Sequence, residues 1–218
     1  MSGSDAVAQF FDRRTARYDH FIRLMRYPQG LRAFFRRSSF LRSGLGILDA
    51  GCGTGALTLA VREALSERAL AARSFHGFDL TPSMLEHLRV RLRAQAIDDV
   101  ELRQADVLRL ETLPHDWTDY DLIVSASMLE YLPRERLADA LSGLRARLRA
   151  DGRFVLFITR RNWLMQPLIG AWWRSNLYSA SEVRGALRQA GFARITFHTF
   201  PAQFRYLDVW GHIAEAGA

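Results

Sequence analysis

With 218 residues, 49% of them hydrophobic, the chain can bury one sizeable core and needs no second domain. Its single cysteine, Cys52, excludes an intrachain disulfide and a cysteine-rich metal cluster, and no metal site is expected. The formal net charge of +7 would suit nucleic acid or an anionic membrane, but every basic residue is an arginine, the arginines are scattered with local pairs at Arg13-Arg14, Arg36-Arg37 and Arg160-Arg161, and solvated helix faces account for them better.

In chain order, residues 1–43 read as two amphipathic helices. Phe10, Phe11, Tyr18, Phe21, Ile22 and Met25 are apolar in the first, Pro28-Gln29-Gly30 breaks the segment, and Leu31, Phe34, Phe35, Phe40 and Leu41 are apolar in the second. The start, Met1-Ser2-Gly3-Ser4-Asp5, lacks the basic-then-apolar order of a secretory signal, and no run of about 18 uncharged apolar residues occurs, so a cytoplasmic location is expected.

From Leu45 onward, strand-length apolar runs alternate with helix-period segments, the pattern of an α/β domain with a mainly parallel sheet. A first strand ends on Asp49, and a helix covers about Leu57 to Leu65. A second strand, Ser74 to Phe78, ends at Asp79; Thr81-Pro82 then caps and opens a helix with Met84, Leu85, Leu88 and Leu92 on one face. A third strand, Val100 to Arg103, reaches Asp106. The fourth, Tyr120 to Ala126, leads into Ser127-Met128-Leu129-Glu130-Tyr131-Leu132-Pro133 and a helix from about Arg134 to Arg149. Asp151-Gly152 reads as a turn and Phe154 to Thr159 as the fifth strand. Arg160 to Tyr178 is an aromatic-rich insertion. Ser181 is placed to cap a helix that runs to Ala190 and stops at Gly191, and two strands follow near Ile195 to Phe200 and Leu207 to Ile213.

The first turn organises the chain. In Asp49-Ala50-Gly51-Cys52-Gly53-Thr54-Gly55 an acid closes a buried strand, and three alternate glycines precede a helix. Glycine permits φ > 0 and removes the Cβ, so a ligand can approach the backbone closely beside the unpaired N–H groups of the helix start. The spacing Gly51-x-Gly53-x-x-Ala56 also fits a dinucleotide fingerprint, and the loop alone leaves both ligands open. Asp49, Asp79 and Asp106 stand at the ends of three successive strands, and the carboxyl ends of parallel strands line one crevice. The three acids are therefore expected to converge.

On ILDAGCGTGALT, GFDLTPSML, QADVLRL, YDLIVSASMLEYLP and GRFVLF, in that order over Leu45 to Ile158, the chain resembles the class I S-adenosylmethionine-dependent methyltransferases of the small-molecule type. The resemblance implies a Rossmann-like, seven-stranded, mainly parallel sheet flanked by helices, with N-terminal lid helices and the aromatic insertion after strand 5. One domain, 1–218, would comprise lid and substrate helices (1–43), a cofactor core (44–159), and the insertion with the last strands (160–218). The cofactor implied is S-adenosyl-L-methionine. Gly51, Cys52, Gly53, Thr54 and Gly55 would pass its methionine part, with Asp49 anchoring the amino group; Asp79 would accept from the ribose hydroxyls and Asp106 from the adenine amino group. The backbone at Val107 would lie beside that amino group, Leu80 and Met84 would line the ring, and Ser125 and its neighbours would sit under the sulfonium. Cys52 reads as a small loop filler.

The acceptor pocket in such enzymes is usually built from the N-terminal helices and the segment after the fifth strand. Phe11, Tyr18 and Tyr27 on one side, with Trp163, Trp172, Trp173 and Tyr178 on the other, are the candidates to hold an aromatic or lipophilic acceptor; packing of the helices is the alternative. Glu130 joins them, and His20, Glu130, His115 and His198 are the candidate general bases. Ser125-Ala126-Ser127-Met128 stands where DNA amino-methyltransferases carry an NPPY-like motif, which argues against nucleic acid. Two further readings remain: a lipid or quinone methyltransferase with peripheral membrane contact through the arginine-flanked aromatics of 163–174, and a non-catalytic partner protein of the same fold. The acceptor atom and the oligomeric state are left open.

Overall fold

A computed structural model describes residues 22–162 and 175–217. Five strands pair in parallel: β1 (Gly46–Ala50), β2 (Ser74–Asp79), β3 (Val100–Gln104), β4 (Tyr120–Ala126) and β5 (Leu148–Thr159). β7 (Gly211–Gly217) runs antiparallel between β5 and β6 (Arg194–His198), and the sheet order is β3-β2-β1-β4-β5-β7-β6. From β1 the chain moves outward to β2 and β3, then returns to the other side of β1 as β4. That reversal opens a crevice at the carboxyl ends of β1 and β4, where open α/β sheets take their ligands.

β1 is buried at all five positions, as expected of a central strand covered on both faces. The faces separate by the two-residue period of the strands. Ile47, Leu122, Val124, Val155 and Phe157 pack with α1 (Tyr27–Arg37) and α2 (Ala56–Glu67) through Leu31, Phe34, Phe35, Val61 and Leu65. Leu48, Ile123, Phe154, Leu156 and Ile158 face α4 (Leu137–Arg145) and α5 (Ala180–Gln189) through Leu141, Leu144, Val183 and Leu187. α3 (Pro82–Ala94) adds Leu85, Leu88 and Leu92 beside Cys52 and Leu102.

Several local expectations are corrected. Pro28-Gln29-Gly30 does not break a helix but lies inside the start of α1; the break is at Arg26, whose φ is +52°, and Pro28 sits in the first turn, where its missing N–H costs nothing. A Cβ on Gly30 would lie 2.4 Å from Leu207 Cδ1, so close packing selects that glycine. The cap of α5 is Ser179, not Ser181: its hydroxyl accepts from the Glu182 N–H while Glu182 accepts from the Ser179 N–H. Thr81 starts α3 without a side-chain cap; Asp79 Oδ1 accepts from its N–H instead. Residues Arg134 to Arg136 form a 3-10 turn ahead of the shorter α4. β5 runs through Asp151-Gly152, with a register shift opposite Tyr120 to Leu122. Leu207 is not in a strand: Ala202–Val209 is a 3-10 segment, and β7 begins at Gly211.

Candidate active site

The loop after β1 is pinned from below. The N–H groups of Gly51 and Cys52 both donate to Phe78 O at 2.9 Å, and Gly55 N–H donates to Cys52 O at 2.9 Å. Gly51, Gly53 and Gly55 have φ of +76°, +51° and +90°, the left-handed region where a side chain is strained. A Cβ on Gly51 would strike Met128 Cγ at 2.4 Å, and one on Gly55 would strike Leu88 Cδ1 at 2.2 Å. At Gly53 the nearest atoms would be Met84 Sδ at 3.6 Å and Asp79 Oδ2 at 4.0 Å, both belonging to residues of the cleft wall.

That cleft has a volume of about 520 Å³ and lies over the carboxyl ends of β1 to β4, within the range of cofactor-sized sites. Of the residues singled out in the sequence, Gly51, Cys52, Gly53 and Thr54 line it from the loop. Asp79, Leu80 and Met84 line it from the end of β2 and the start of α3, Asp106 and Val107 from beyond β3, and Tyr27 from α1. Asp79 Oδ2 accepts from the Gly53 N–H at 2.9 Å and Oδ1 from the Thr81 N–H at 2.8 Å. Burial raises its pKa, offset by these backbone hydrogen bonds. Asp106 Oδ1 accepts from the Leu108 N–H at 2.9 Å. The Cys52 thiol is buried, and burial with the nearby Asp49 carboxyl pushes its pKa up, which keeps it an unreactive wall.

Asp49 and Ser125 lie beneath this wall rather than on it. Asp49 is fully buried; Oδ2 accepts from the Thr58 hydroxyl at 2.6 Å, while Oδ1 has no hydrogen-bond partner. Burial, countered by the Thr58 hydrogen bond and reinforced by Asp79, pushes this carboxyl up to about 7. The Ser125 hydroxyl donates to Ala50 O at 2.8 Å and so ties β4 to β1. In place of Ser125 the wall is made by Ala126, Ser127 and Met128, then Tyr131, Leu132 and Arg136, with Asn176 from the far side of the insertion. The sequence points to Ser125 and its neighbours, whereas Tyr131, Leu132, Arg136 and Asn176 are brought to the wall by the fold. Ser127 carried the signal only in its backbone, a φ of +52° on a residue other than glycine.

Glu130 and Tyr178 do not line the main cleft. Tyr178 is buried in the α4/α5 core, with the Arg134 guanidinium 4.8 Å over its ring. Glu130 lines a second, smaller cavity of about 90 Å³, which shares Tyr27, Ser127 and Tyr131 with the first. Among the base candidates, His115 is exposed in the turn before β4, at the opposite edge of the sheet, and His198 Nε2 lies 2.8 Å from Glu215 Oε2. Phe11, Tyr18, His20, Trp163, Trp172 and Trp173 lie outside the described residues. Among the described residues, no helix is long and apolar enough to cross a membrane.

Residues 47–152 match the family model of the methyltransferase domain. Over 183 residues the chain is 30% identical to a highly reducing polyketide synthase of Emericella nidulans, covering 78% of this chain but 7% of that protein. It is 28% identical over 202 residues to carboxy-S-adenosyl-L-methionine synthase of Chromohalobacter salexigens, covering 80% of this chain and 69% of the relative. The fold is that of magnesium protoporphyrin IX methyltransferase from Synechocystis PCC 6803, solved with bound S-adenosylmethionine, at a TM-score of 0.67 and 18% identity over 100% of this chain and 97% of that one. Residues 47–152 thus match a methyltransferase domain, on a fold shared with a methyltransferase solved with S-adenosylmethionine. It spans only about 7% of the length of the two polyketide synthases that it matches.

Proposed function

We propose that the protein as a whole transfers a methyl group from S-adenosylmethionine to a small, largely apolar molecule, and that the 520 Å³ cleft holds the donor. The observation that carries this reading is the buried, unpartnered Asp49 Oδ1 beneath a glycine loop whose centre, at Gly53, would bring a Cβ no closer than 3.6 Å to any side chain. A buried carboxylate oxygen without a partner is costly, and an amino group of the donor supplies the missing charge-assisted hydrogen bond. Asp79 accepts from the Gly53 and Thr81 N–H groups, and a carboxylate with about four lone-pair sites can take ribose hydroxyls besides. Met84, Leu80 and Val107 supply the apolar walls for the adenine ring, with Asp106 at its rim.

The donor supplies an electrophilic methyl group on a sulfonium. What the protein must add is alignment, because holding the reacting atoms about 3 to 3.5 Å apart replaces an encounter in solution. The mainly apolar surroundings of Tyr27, Met128, Tyr131 and Leu132 support the small-molecule reading. Titration calorimetry with S-adenosylmethionine and S-adenosylhomocysteine tests it: saturable one-site binding is expected, and purified protein that takes up neither ligand would refute it. Labelled donor incubated with extract of the native cell then identifies the acceptor.

A further inference from the structure

The second cavity is not a continuation of the loop that follows β1. It lies between α1, the end of β5 and the start of β7, and touches the main cleft through Tyr27, Ser127 and Tyr131. At roughly 10 to 15 Å³ per water-sized group, its 90 Å³ holds roughly six to nine non-hydrogen atoms, one substituted ring. Met25, Phe157, Phe200 and Leu207 make its sides apolar, while Glu130, Thr159, Ser175 and His212 gather its polar atoms. Two of those are buried without a hydrogen-bond partner: Glu130 Oε2 and Ser175 Oγ. Oε1 is occupied, accepting from the Thr159 hydroxyl at 2.6 Å, which fixes the carboxyl and leaves Oε2 as the oxygen without a partner. A buried acceptor left unpaired beside a ring-sized apolar space fits a ligand with one hydroxyl on an otherwise apolar ring.

Resting on the methyl-transfer reading above, we propose that this cavity is the acceptor subsite, that it takes a single-ring phenol, and that Glu130 is its general base. The phenolic oxygen forms its bond to the methyl carbon with a lone pair. The carbon–sulfur bond breaks and its electron pair stays on sulfur. The hydroxyl proton passes to Glu130 Oε2, so one positive and one negative charge disappear together. Burial, offset by the Thr159 hydrogen bond, pushes Glu130 up to about 7, a range suited to taking a proton near neutrality. Tyr27, Tyr131 and His212 line the cavity with it, and Tyr178 lies near enough to feel its charge. Burial raises the Tyr178 pKa, and burial with the Arg160 charge lowers that of His212, so both stay neutral beside the carboxyl.

The test titrates phenol and its methyl ether, anisole, into the full chain saturated with S-adenosylhomocysteine, for the wild type, Glu130→Gln and Ser175→Met. Wild-type protein should bind the phenol about tenfold more tightly than the ether, the surplus of a charge-assisted hydrogen bond. Glu130→Gln should abolish that preference while leaving affinity for the ether and for S-adenosylhomocysteine as they were. Ser175→Met, which fills the cavity from another wall, should weaken phenol and ether together. A preference that survives Glu130→Gln, equal losses of phenol and ether in that variant, no wild-type binding of the phenol, or indifference of both ligands to Ser175→Met each overturns the proposal. Failure of the wild type to bind S-adenosylhomocysteine overturns the methyl-transfer reading itself, and this one with it.

Discussion

The Gly53 amide donates to Asp79 Oδ2 at 2.9 Å, so the end of β2 is tied to the middle of the loop that follows β1. Two of the residues proposed to hold the donor therefore hold each other, and the loop is shaped before any ligand arrives. Such preorganisation lowers the ordering cost of binding.

Gly53 and Gly55 should fail in different ways when substituted. At Gly53 a Cβ finds no atom closer than 3.6 Å and would project among Met84 and Asp79 of the cleft wall. Gly53→Val should cost about 1 to 2 kcal/mol for its left-handed backbone and weaken S-adenosylhomocysteine binding at least about tenfold. At Gly55 the Cβ would meet Leu88 Cδ1 at 2.2 Å, inside the α2/α3 packing. Gly55→Ala should lower stability by more, about 2 to 4 kcal/mol with strain and overpacking combined. Urea unfolding beside calorimetry separates the two effects; equal affinity in the Gly53 variant and the wild type would remove the donor from this loop.

Donor affinity should depend on pH through Asp49. Its carboxyl titrates at about 7 in the unliganded protein, raised chiefly by burial. An ammonium group binds the carboxylate form, so the donor must draw the proton off wherever the pH lies below that value. Affinity should therefore fall as the pH drops below 7, by up to about tenfold per unit, and level off above it. Calorimetry between pH 5.5 and 8.5, about one and a half units either side, measures the slope. The Asp49→Asn variant should show weaker binding with that slope gone, and an unchanged slope would detach Asp49 from the donor.

How far the sequence reaches depends on whether the decisive contacts are local. The strand-terminal acids Asp49, Asp79 and Asp106 were legible because strand period, loop glycines and chain order are all short-range signals. The start of α1 was not: proline is equally at home ending one segment and opening a helix, and only the left-handed Arg26 decides. The apolar run from Leu207 to Ile213 reads as a strand, yet Leu207 faces Gly30 of α1 and the chain turns before pairing. Ser181 and Ser179 both suit a helix cap by residue type, and Glu182, three residues after Ser179, completes the capping box there. The second cavity was least legible, since its wall joins Met25, Glu130, Thr159, Ser175 and His212 from remote parts of the chain.

The folded protein should itself lose stability as pH rises, in proportion to Glu130. The folded pKa lies near 7 against an ordinary 4.5, so the folded state holds more protons than the unfolded one between those values. Glu130's contribution to stability is fullest below about pH 4.5, declines to about pH 7, and is flat beyond, on the order of 3 kcal/mol over the window. Asp49 adds a slope of the same sign. Glu130→Gln keeps the shape and the partnership with Thr159 but carries no proton equilibrium, so its urea stability should decline less steeply between pH 5 and 7. A wild-type slope in that variant would show that Glu130 is already ionised in its cavity.

At the opposite edge of the sheet, Asp121 should matter for stability alone. Its buried carboxyl accepts from the Gly46 N–H at 2.8 Å and from Arg42 at 3.1 Å, Arg149 at 3.2 Å and Arg73 at 3.4 Å. The three arginine side chains are 43 to 59% exposed, so solvent screens most of the ion pairing. The hydrogen bond to β1 is the stronger term, because removing the carboxyl leaves the Gly46 amide without its acceptor at the first residue of the central strand. Asp121→Ala should therefore cost about 2 kcal/mol in urea unfolding and respond little to added salt. Because Asp121 lies at the amino end of β4, away from the cleft, S-adenosylhomocysteine affinity should stay within about twofold of the wild type. A large loss of affinity at unchanged stability would mean that the two edges of the sheet are coupled.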